Sequence, residues 1–263
     1  SVDLAGGLDR LTLGNFVNTA TVGNVETLTG GTTNVFVTLS TQATGISVNL
    51  RGGLDKLTLG GFANTVTASN VETIVGGGST DLVTLGAEAT GGSVDLGAGS
   101  DRLVLGAAGA TLTVVNVETV TGGTADDVVV YAAQASNAVV DLGEGDDRLA
   151  LANAANTVTA ANVETITGAG STDLVTLTTQ ATGTIVDLAA GSDRLVLGAF
   201  VNTVTVSNVE TLTGGASADT VTLAAQVTLG AVDLAGGADQ ITLGNFVNTV
   251  TLANVETIGG GST

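Results

Sequence analysis

The chain has 263 residues and a formal net charge of -19, with 25 acidic residues and only six basic ones. It contains no His, Cys, Pro, Met or Trp. The lack of His and Cys excludes imidazole bases, thiolate nucleophiles, zinc ligand sets and disulfides. The strong acidity argues against binding to nucleic acid or to an anionic membrane surface. No apolar run approaches the roughly 18 residues of a membrane span.

The sequence repeats every 46 residues without an insertion. Val2-Asp3-Leu4 opens the first copy, and Asn24-Val25-Glu26-Thr27 follows in every copy at the same phase. The predicted units are 2–47, 48–93, 94–139, 140–185, 186–231 and a partial unit 232–263. A fixed period predicts a single array, 1–263, in which each unit stacks on its neighbours. Because the chain starts and stops inside a repeat, we expect it to be a segment of a longer array.

Each unit divides into two equal halves, which Val2 and Val25 open in the first copy. In each half a Gly-rich turn and an Asp precede an alternating strand, as at 193–197 and 173–177, and further short strands are predicted at 202–206 and 180–182. Strict alternation of Val or Leu with Thr indicates strands with one face in a core, and helical spacing is absent. Three short strands per half predict an all-β, parallel β-solenoid with about 23 residues per coil. About 11 coils stacked at ~4.8 Å would form a rod of about 55 Å.

The acidic residues fall into two periodic series. The first has one position in each half-unit, with Asn49 filling its gap, and consists of Asp3, Glu26, Glu72, Asp95, Glu118, Asp141, Glu164, Asp187, Glu210, Asp233 and Glu256. The second follows the Gly turns. Carboxylates stacked in a column repel one another, so solvent, neighbouring basic residues or a divalent cation must compensate. The neighbouring basic residues are Arg10, Lys56, Arg102, Arg148 and Arg194.

The Gly turns resemble a known family. The segments 97–103 (GAGSDRL) and 143–149 (GEGDDRL) are similar to the G-x-G-x-D-x-L core of repeats-in-toxin (RTX) proteins, and 24–31 (NVETLTGG) resembles segments that accompany such repeats in large secreted bacterial surface proteins. The resemblance implies calcium bound by Asp carboxylates and Gly-turn carbonyls between turns of a β-roll. The implied metal ligands are Asp9, Asp55, Asp81, Asp101, Asp127, Asp147, Asp173, Asp193, Asp219 and Asp239.

The match to this motif is partial, because the predicted coil is longer than two nonapeptides and Val35 stands where an Asp is expected. A structural interpretation therefore stays open beside calcium: Gly supplies a positive φ, and Asp caps the turn by accepting backbone N–H bonds. Calcium binding and turn capping can occur in the same turn. For the Asn residues at strand ends we expect positive φ and local hydrogen bonds.

These features together favour a non-enzymatic extracellular structural protein: an adhesin stalk, a surface-layer subunit or an extracellular filament. The resemblance implies type I secretion to the bacterial cell surface. Expected partners are copies of the chain, assembled head-to-tail or laterally, and a surface polysaccharide or other matrix. Every polar constellation is repeated, whereas catalytic sites are singular, so we predict no enzyme.

An ice-binding solenoid is the alternative. Thr-x-Thr pairs recur once per unit, beginning at Thr19, Thr65, Thr111, Thr157, Thr203 and Thr249. With two coils per unit they would form rows roughly 10 Å apart, because each coil adds one strand spacing. A flat, regular Thr array is what ice binding would need, but these rows would occur only on every second coil, with Gln, Ala and Thr between them.

Overall fold

Short alternating runs of Val, Leu and Thr, ended by Gly, Asn or Asp, form β-strands along the whole chain because β-branched residues fit a half-buried pleated surface. The computed structural model describes residues 1–260, without the side chain of Leu229. None of these described residues is helical. The last three residues of the predicted unit 232–263 lie outside the described residues.

The chain divides into unit 1, Ser1–Val129, and unit 2, Val130–Thr263. The strands of unit 1 are β1 (Val2–Asp3), β2 (Arg10–Thr12), β3 (Asn18–Gly23), β4 (Thr27–Thr29), β5 (Val35–Leu39), β6 (Thr44–Asn49), β7 (Lys56–Thr58), β8 (Thr65–Ser69), β9 (Thr73–Gly77), β10 (Leu82–Leu85), β11 (Ala89–Gly97), β12 (Arg102–Val104), β13 (Ala110–Val115) and β14 (Thr119–Gly123). Strand β15 (Val128–Tyr131) contains the boundary between the units.

The strands of unit 2 are β16 (Ser136–Gly143), β17 (Arg148–Ala150), β18 (Thr157–Ala161), β19 (Thr165–Thr167), β20 (Leu174–Leu177), β21 (Thr182–Asp187), β22 (Arg194–Val196), β23 (Thr203–Ser207), β24 (Thr211–Thr213), β25 (Thr220–Leu223), β26 (Thr228–Asp233), β27 (Gln240–Leu243), β28 (Thr249–Ala253) and β29 (Thr257–Gly259).

Consecutive strands alternate between two sheets. In unit 1 the odd-numbered strands β1 to β13 form one sheet in chain order, and β2 to β14 form the other. Unit 2 is built in the same way from β17 to β29 and from β16 to β28. Neighbouring strands pair in parallel, as β8, β10 and β12 do. Two strands therefore complete one turn, and the predicted all-β, parallel β-solenoid is confirmed within each unit.

A turn is shorter than the predicted coil. Leu82 pairs with Thr65 on one side and with Arg102 on the other. Hydrogen bonds between the connectors of these same turns span 17 residues in one case and 20 residues in the other. The strand predicted at 180–182 does not form separately, because Thr182 begins β21, which runs on to Asp187. A repeat of 46 residues therefore holds five strands, with about nine residues for each strand and its connector.

An odd number of strands per repeat places equivalent strands in alternate sheets. In unit 1, Val2, Val48 and Val94 occupy the same place in the repeat but lie in odd, even and odd strands. Connectors that lead into even strands form one edge of each unit, the even-entry edge, and those that lead into odd strands form the odd-entry edge. Each feature of the repeat therefore occurs on both edges in turn.

The core is a stack of inward-facing apolar side chains. Leu57, Val66, Ile74, Val83 and Val94 lie on successive strands and are at most 3% exposed. Burial of each such side chain contributes about 1.5–3 kcal/mol. The residues predicted to point inward that are buried are Val25, Val48, Leu50, Val94, Leu96, Val140, Leu142, Val186 and Leu188. The four others, Val2, Leu4, Leu11 and Leu13, are half-buried, on or beside the outermost strands of their sheets in unit 1.

Candidate functional site: the buried carboxylate ladders

Each Asp of the Gly turns directly precedes a strand. Asp55, Asp81 and Asp101 precede β7, β10 and β12, for example. Nine of the ten predicted metal ligands are buried, with 0–1% of the residue surface exposed, and only Asp9 is half-buried. The structure therefore places these carboxylates inside the edges of each unit and not in solvent.

Hydrogen bonds link these residues from turn to turn. In unit 1 the backbone N–H of Ala43 donates to Oδ1 of Asn64 (3.0 Å), and that of Asn64 donates to Oδ1 of Asp81 (2.9 Å). The N–H of Asp81 donates to Oδ1 of Asp101 (2.6 Å), and that of Asp101 donates to Oε2 of Glu118 (2.7 Å). We call this run of five residues on the even-entry edge ladder A.

Unit 2 contains two complete ladders with the same residue types. Ladder B, on the even-entry edge, consists of Ala135, Asn156, Asp173, Asp193 and Glu210, joined by N–H to oxygen distances of 2.9, 3.1, 2.7 and 2.8 Å. Ladder C, on the odd-entry edge, consists of Ala181, Asn202, Asp219, Asp239 and Glu256, joined at 3.0, 3.1, 2.7 and 2.7 Å. Each repeat thus contributes to a ladder in which side-chain oxygens accept backbone N–H bonds between turns.

Shorter runs show the same bond. The N–H of Val35 donates to Asp55, and that of Asp55 donates to Glu72, both at 2.7 Å. Val35 itself offers no side-chain oxygen, and the N–H of Asn18 in the preceding turn donates to the backbone carbonyl of Asn34 instead (3.2 Å). The further pairs are Asp9 with Glu26, Ala110 with Asp127 and Asp147 with Glu164. The Val at position 35 therefore interrupts a ladder.

The first acidic series predicted from the sequence is not one column. Its Glu members end the ladders, as Glu118 does, but its Asp members cap a different turn. Oδ1 of Asp3 accepts the N–H of Ala5 (3.1 Å) and Nδ2 of Asn24 (2.7 Å). The predicted positive φ is confirmed for Asn24 and its equivalents, which all have φ of 51–53°: Asn70, Asn116, Asn162, Asn208 and Asn254. It is wrong for the other Asn residues at strand ends, whose φ is not positive: Asn18, Asn64, Asn156, Asn202 and Asn248.

The second carboxylate oxygen of most ladder Asp residues has no hydrogen-bond partner among the described residues. These buried Oδ2 atoms belong to Asp9, Asp55, Asp101, Asp173, Asp193 and Asp239. In Asp81 and Asp219, by contrast, Oδ2 accepts the N–H of Gly77 (3.4 Å) or Gly215 (3.2 Å). A buried anionic oxygen without a partner is costly, so a proton, a cation or a buried water has to satisfy it.

Burial changes the acidity of these groups. It raises the pKa of Asp101 and of Asp193 to about 6, against the opposing effect of one backbone N–H bond each. The neighbouring charges of Asp81 and Glu118 add to the rise of the pKa at Asp101. Burial also raises the pKa of Asp55 and of Asp127.

Basic residues do not reach into the ladders. Arg10, Lys56, Arg102, Arg148 and Arg194 follow ladder or turn residues directly, and all five are exposed. The guanidinium of Arg102 donates to Oγ1 of Thr121 on the outer face of the sheet (3.4 Å). Side chains of consecutive strand residues point to opposite faces, so these cations lie outside while the Asp residues lie inside.

Calcium fits the ladder turns in chemistry, since its ligands are hard oxygens. A Cβ built on Gly99 would lie 2.8 Å from Oδ1 of Asp101 and 3.0 Å from the carbonyl oxygen of Ser79, so carboxylate and carbonyl oxygens converge on this glycine. The unpartnered Oδ2 of Asp101 is the oxygen that a cation would satisfy. Residues 1–260 contain no group of three or more acidic side chains that could hold a metal ion, so carbonyl oxygens would have to complete any site.

The Thr-x-Thr pairs are not on one face. Thr19, Thr65 and Thr111 lie in β3, β8 and β13, which belong to the odd, even and odd sheets of unit 1. Four strands separate β3 from β13 within the odd sheet, and there Thr19 pairs with Phe36, which pairs with Lys56. The prediction of one Thr row on every second coil is therefore wrong, because it assumed two coils per repeat and a single face.

Comparison with known proteins leaves the family open: no family model matches the chain, and neither does any curated protein. Within residues 1–260 there is also no helix of the length and apolarity that crossing a membrane requires.

Proposed function

We propose that this chain is a non-enzymatic structural segment of an extracellular bacterial surface protein, in which calcium at the Gly-Asp turns stabilises a β-solenoid. The observation that supports it best is the repetition of the buried ladder. Ladders A, B and C use the same residue types in the same order, whereas a catalytic site needs a single constellation.

The proposed calcium ligands are the ladder Asp residues whose Oδ2 lacks a partner, together with turn carbonyls. In the turn of Asp101 these are the carboxylate of Asp101 and the carbonyl of Ser79. Calcium would neutralise the buried charge and join two successive turns. The observed spacing of about nine residues per strand also agrees with the nonapeptide period of RTX repeats, with which the longer predicted coil did not agree.

Thermal unfolding followed by circular dichroism tests this proposal. The chain is compared in calcium-free buffer, in millimolar Ca²⁺ and in millimolar Mg²⁺. A ligand that binds only the folded state adds RT ln(1 + [L]/Kd), about 2.7 kcal/mol per site at a hundredfold excess over Kd. We expect a clear rise of the melting temperature in Ca²⁺ and a smaller one in Mg²⁺, whose octahedral demands are stricter.

A triple variant, Asp101→Asn, Asp147→Asn and Asp193→Asn, supplies the control. Asn keeps an oxygen for the ladder N–H, as Asn64 and Asn156 show, whose Oδ1 atoms accept the N–H of Ala43 and of Ala135. The calcium response of this variant should be reduced while its sheet content stays unchanged. Equal melting temperatures of the wild-type chain with and without calcium would refute calcium stabilisation and leave the structural interpretation.

Lateral or end-to-end self-assembly and contact with a surface polysaccharide belong to the same proposal. Ice binding has less support, because consecutive Thr-x-Thr pairs occupy different sheets. Absence of thermal hysteresis in a solution of the chain would agree with this preference.

A further inference from the structure

A cleft recurs at one place in the repeat. In unit 1, Asn24, Glu26, Leu39 and Thr44 are among the residues that line cleft 1. The residues one repeat later line cleft 2, also in unit 1, and those three repeats later line cleft 3 in unit 2. Cleft 3 has a volume of about 200 Å³. Because the same positions recur, the cleft is a property of the repeat and not an irregularity of one turn.

Connectors of unequal length open the cleft. The connector between β3 and β4 separates the inward-facing residues Ala20 and Leu28 by eight positions. The connector between β5 and β6 separates Val37 and Val48 by eleven positions. These two connectors are neighbours on the even-entry edge of unit 1. The longer connector leads into a bulge at Gly45 in β6, with φ of 79°, where the strand register shifts. The extra residues cannot stack on the shorter connector, so a gap remains between them.

Cleft 3 is lined by uncommitted acceptor atoms. Asn162 donates its Nδ2 to Asp141 (2.7 Å). Gln180 donates its Nε2 to the carbonyl of Val201 (2.9 Å). Both side-chain carbonyl oxygens therefore remain without a donor among the described residues.

Two further groups add to this acceptor set. Glu164 uses only Oε2, which accepts the N–H of Asp147 (2.8 Å), so Oε1 remains available. Thr184 lines the cleft and is only 4% exposed as a residue. Its hydroxyl makes no hydrogen bond within the described chain and is not among the fully buried polar atoms, so it is reached from the cleft. A polar group without a protein partner on a nearly buried side chain is open to a ligand that enters the cleft, or to water when the cleft has no ligand.

The acidic and apolar residues that line cleft 3 indicate the chemistry of its ligand. Glu144 and Glu164 line cleft 3, and no basic residue does. Leu177, Ala160 and Ala181 provide apolar surface beside the acceptors. A ligand that fits carries a positive charge with several N–H donors on an aliphatic stem.

We propose that these clefts bind primary ammonium groups, presented by lysine side chains of a partner protein. An ammonium has three donors and no acceptor, which matches a set of carboxylate, amide and hydroxyl oxygens. Its methylene stem would lie on Leu177 and the neighbouring alanines while the charged head meets Glu164. Cleft 3 adjoins the ladder turn of Asp147, because Glu164 accepts the N–H of Asp147 and the turn residues Gly143, Glu144 and Gly145 line the cleft. The inference rests on the other oxygens of the cleft and does not require calcium in that turn, so its test is made in calcium-free buffer.

Amide chemical shifts of the ¹⁵N-labelled chain test the proposal, with Nα-acetyl-lysine N-methylamide as the probe. We expect saturable shifts at Asn162 and at residues 179–184, and at the equivalent residues of clefts 1 and 2. The norleucine analogue, which has the same stem length without the ammonium, should cause none. Cadaverine tests the source of the ammonium, because a free diamine that binds while the lysine probe does not would overturn the assignment to a partner's lysine.

Glu164→Gln is the informative variant. Gln can still accept the N–H of Asp147, so the change removes the charge and leaves the backbone bond. Loss of a charged hydrogen bond predicts about tenfold weaker binding at cleft 3, with clefts 1 and 2 unchanged in the same molecule. Glu256→Gln is the matched control, since Glu256 accepts a ladder N–H in the same way but lines none of the three clefts. Shifts spread evenly over all acidic surface, or equal affinity at cleft 3 in both variants, would overturn the proposal.

Discussion

Acidification should stabilise this protein in calcium-free buffer, the opposite of ordinary acid denaturation. Burial raises the pKa of Asp101 and of Asp193 to about 6, from the ordinary value of 3.8 that applies to the unfolded chain. Between these two values the folded state binds more protons than the unfolded state. The free energy of unfolding therefore falls as the pH rises from about 3.8 to about 6, and it is constant above that window.

The magnitude follows from the distance between the two pKa values. A difference of about two pH units corresponds to about 3 kcal/mol per residue over the full window. When the pH falls from 7 to 4.5, the free energy of unfolding rises by most of this amount, about 2 kcal/mol for each of Asp101 and Asp193. The raised pKa of Asp55 and of Asp127 acts in the same direction. The pKa of exposed Asp3 and of Asp233 is lowered by hydrogen bonds, so their opposing effect begins only below about pH 4.

Urea unfolding followed by circular dichroism measures this effect at pH 7, 6, 5 and 4.5. In the double variant Asp101→Asn and Asp193→Asn, the free energy of unfolding should rise much less on acidification, because Asn does not titrate. Glu88→Gln removes an exposed carboxylate and should leave the rise on acidification unchanged. A wild-type free energy of unfolding that stays level or falls from pH 7 to pH 4.5 would refute the burial argument.

Other predictions concern packing and turn geometry, and urea unfolding measures each of them. Leu103→Ala removes a fully buried side chain and should cost about 2–5 kcal/mol; a cost below about 1 kcal/mol would contradict the assigned core. Gly99→Ala places a methyl group against the carboxylate of Asp101 and should cost about 1–3 kcal/mol, whereas Gly78→Ala, with open space around it, should be nearly neutral. Asn208→Ala should cost more than Asn208→Gly, because its φ of 53° suits glycine and not alanine; the reverse order would speak against this backbone conformation.

The period, the strand alternation and the inward-facing residues could be predicted from the sequence, since a residue such as Val94 or Leu96 has the same neighbours in every repeat. The number of strands could not, because 180–182 reads as a separate strand before Val186 when each is taken alone. The sequence does contain a signal that indicates five strands per repeat and not six. It is the spacing of the inward-facing residues, which follow one another at steps of nine, eight, nine and eleven positions: Leu57, Val66, Ile74, Val83 and Val94.

The burial of the ladder carboxylates was beyond sequence reasoning for a related reason. Asp101 follows a Gly-rich turn, a context that is usually solvated. Its burial depends on a partner one turn away, since Oδ1 accepts the N–H of Asp81, 20 residues earlier. The register between turns cannot be derived from the repeat period without the strand count. The clefts stayed unpredicted because they depend on the same unequal connectors.

Proton and calcium compete for the same buried oxygen in this account, so direct calcium binding is its most decisive test. Equilibrium dialysis against ⁴⁵Ca²⁺ at pH 7.5 and at pH 5 measures bound calcium per chain. The account predicts saturable binding of several ions at pH 7.5, at most one for each of the ten Gly-turn Asp residues, and much weaker binding at pH 5, where protons occupy Asp101 and Asp193. Saturation should be lower in the Asp101, Asp147 and Asp193 triple variant. Absence of saturable binding at pH 7.5 in millimolar calcium, or binding that does not change with pH or in the variant, would contradict it.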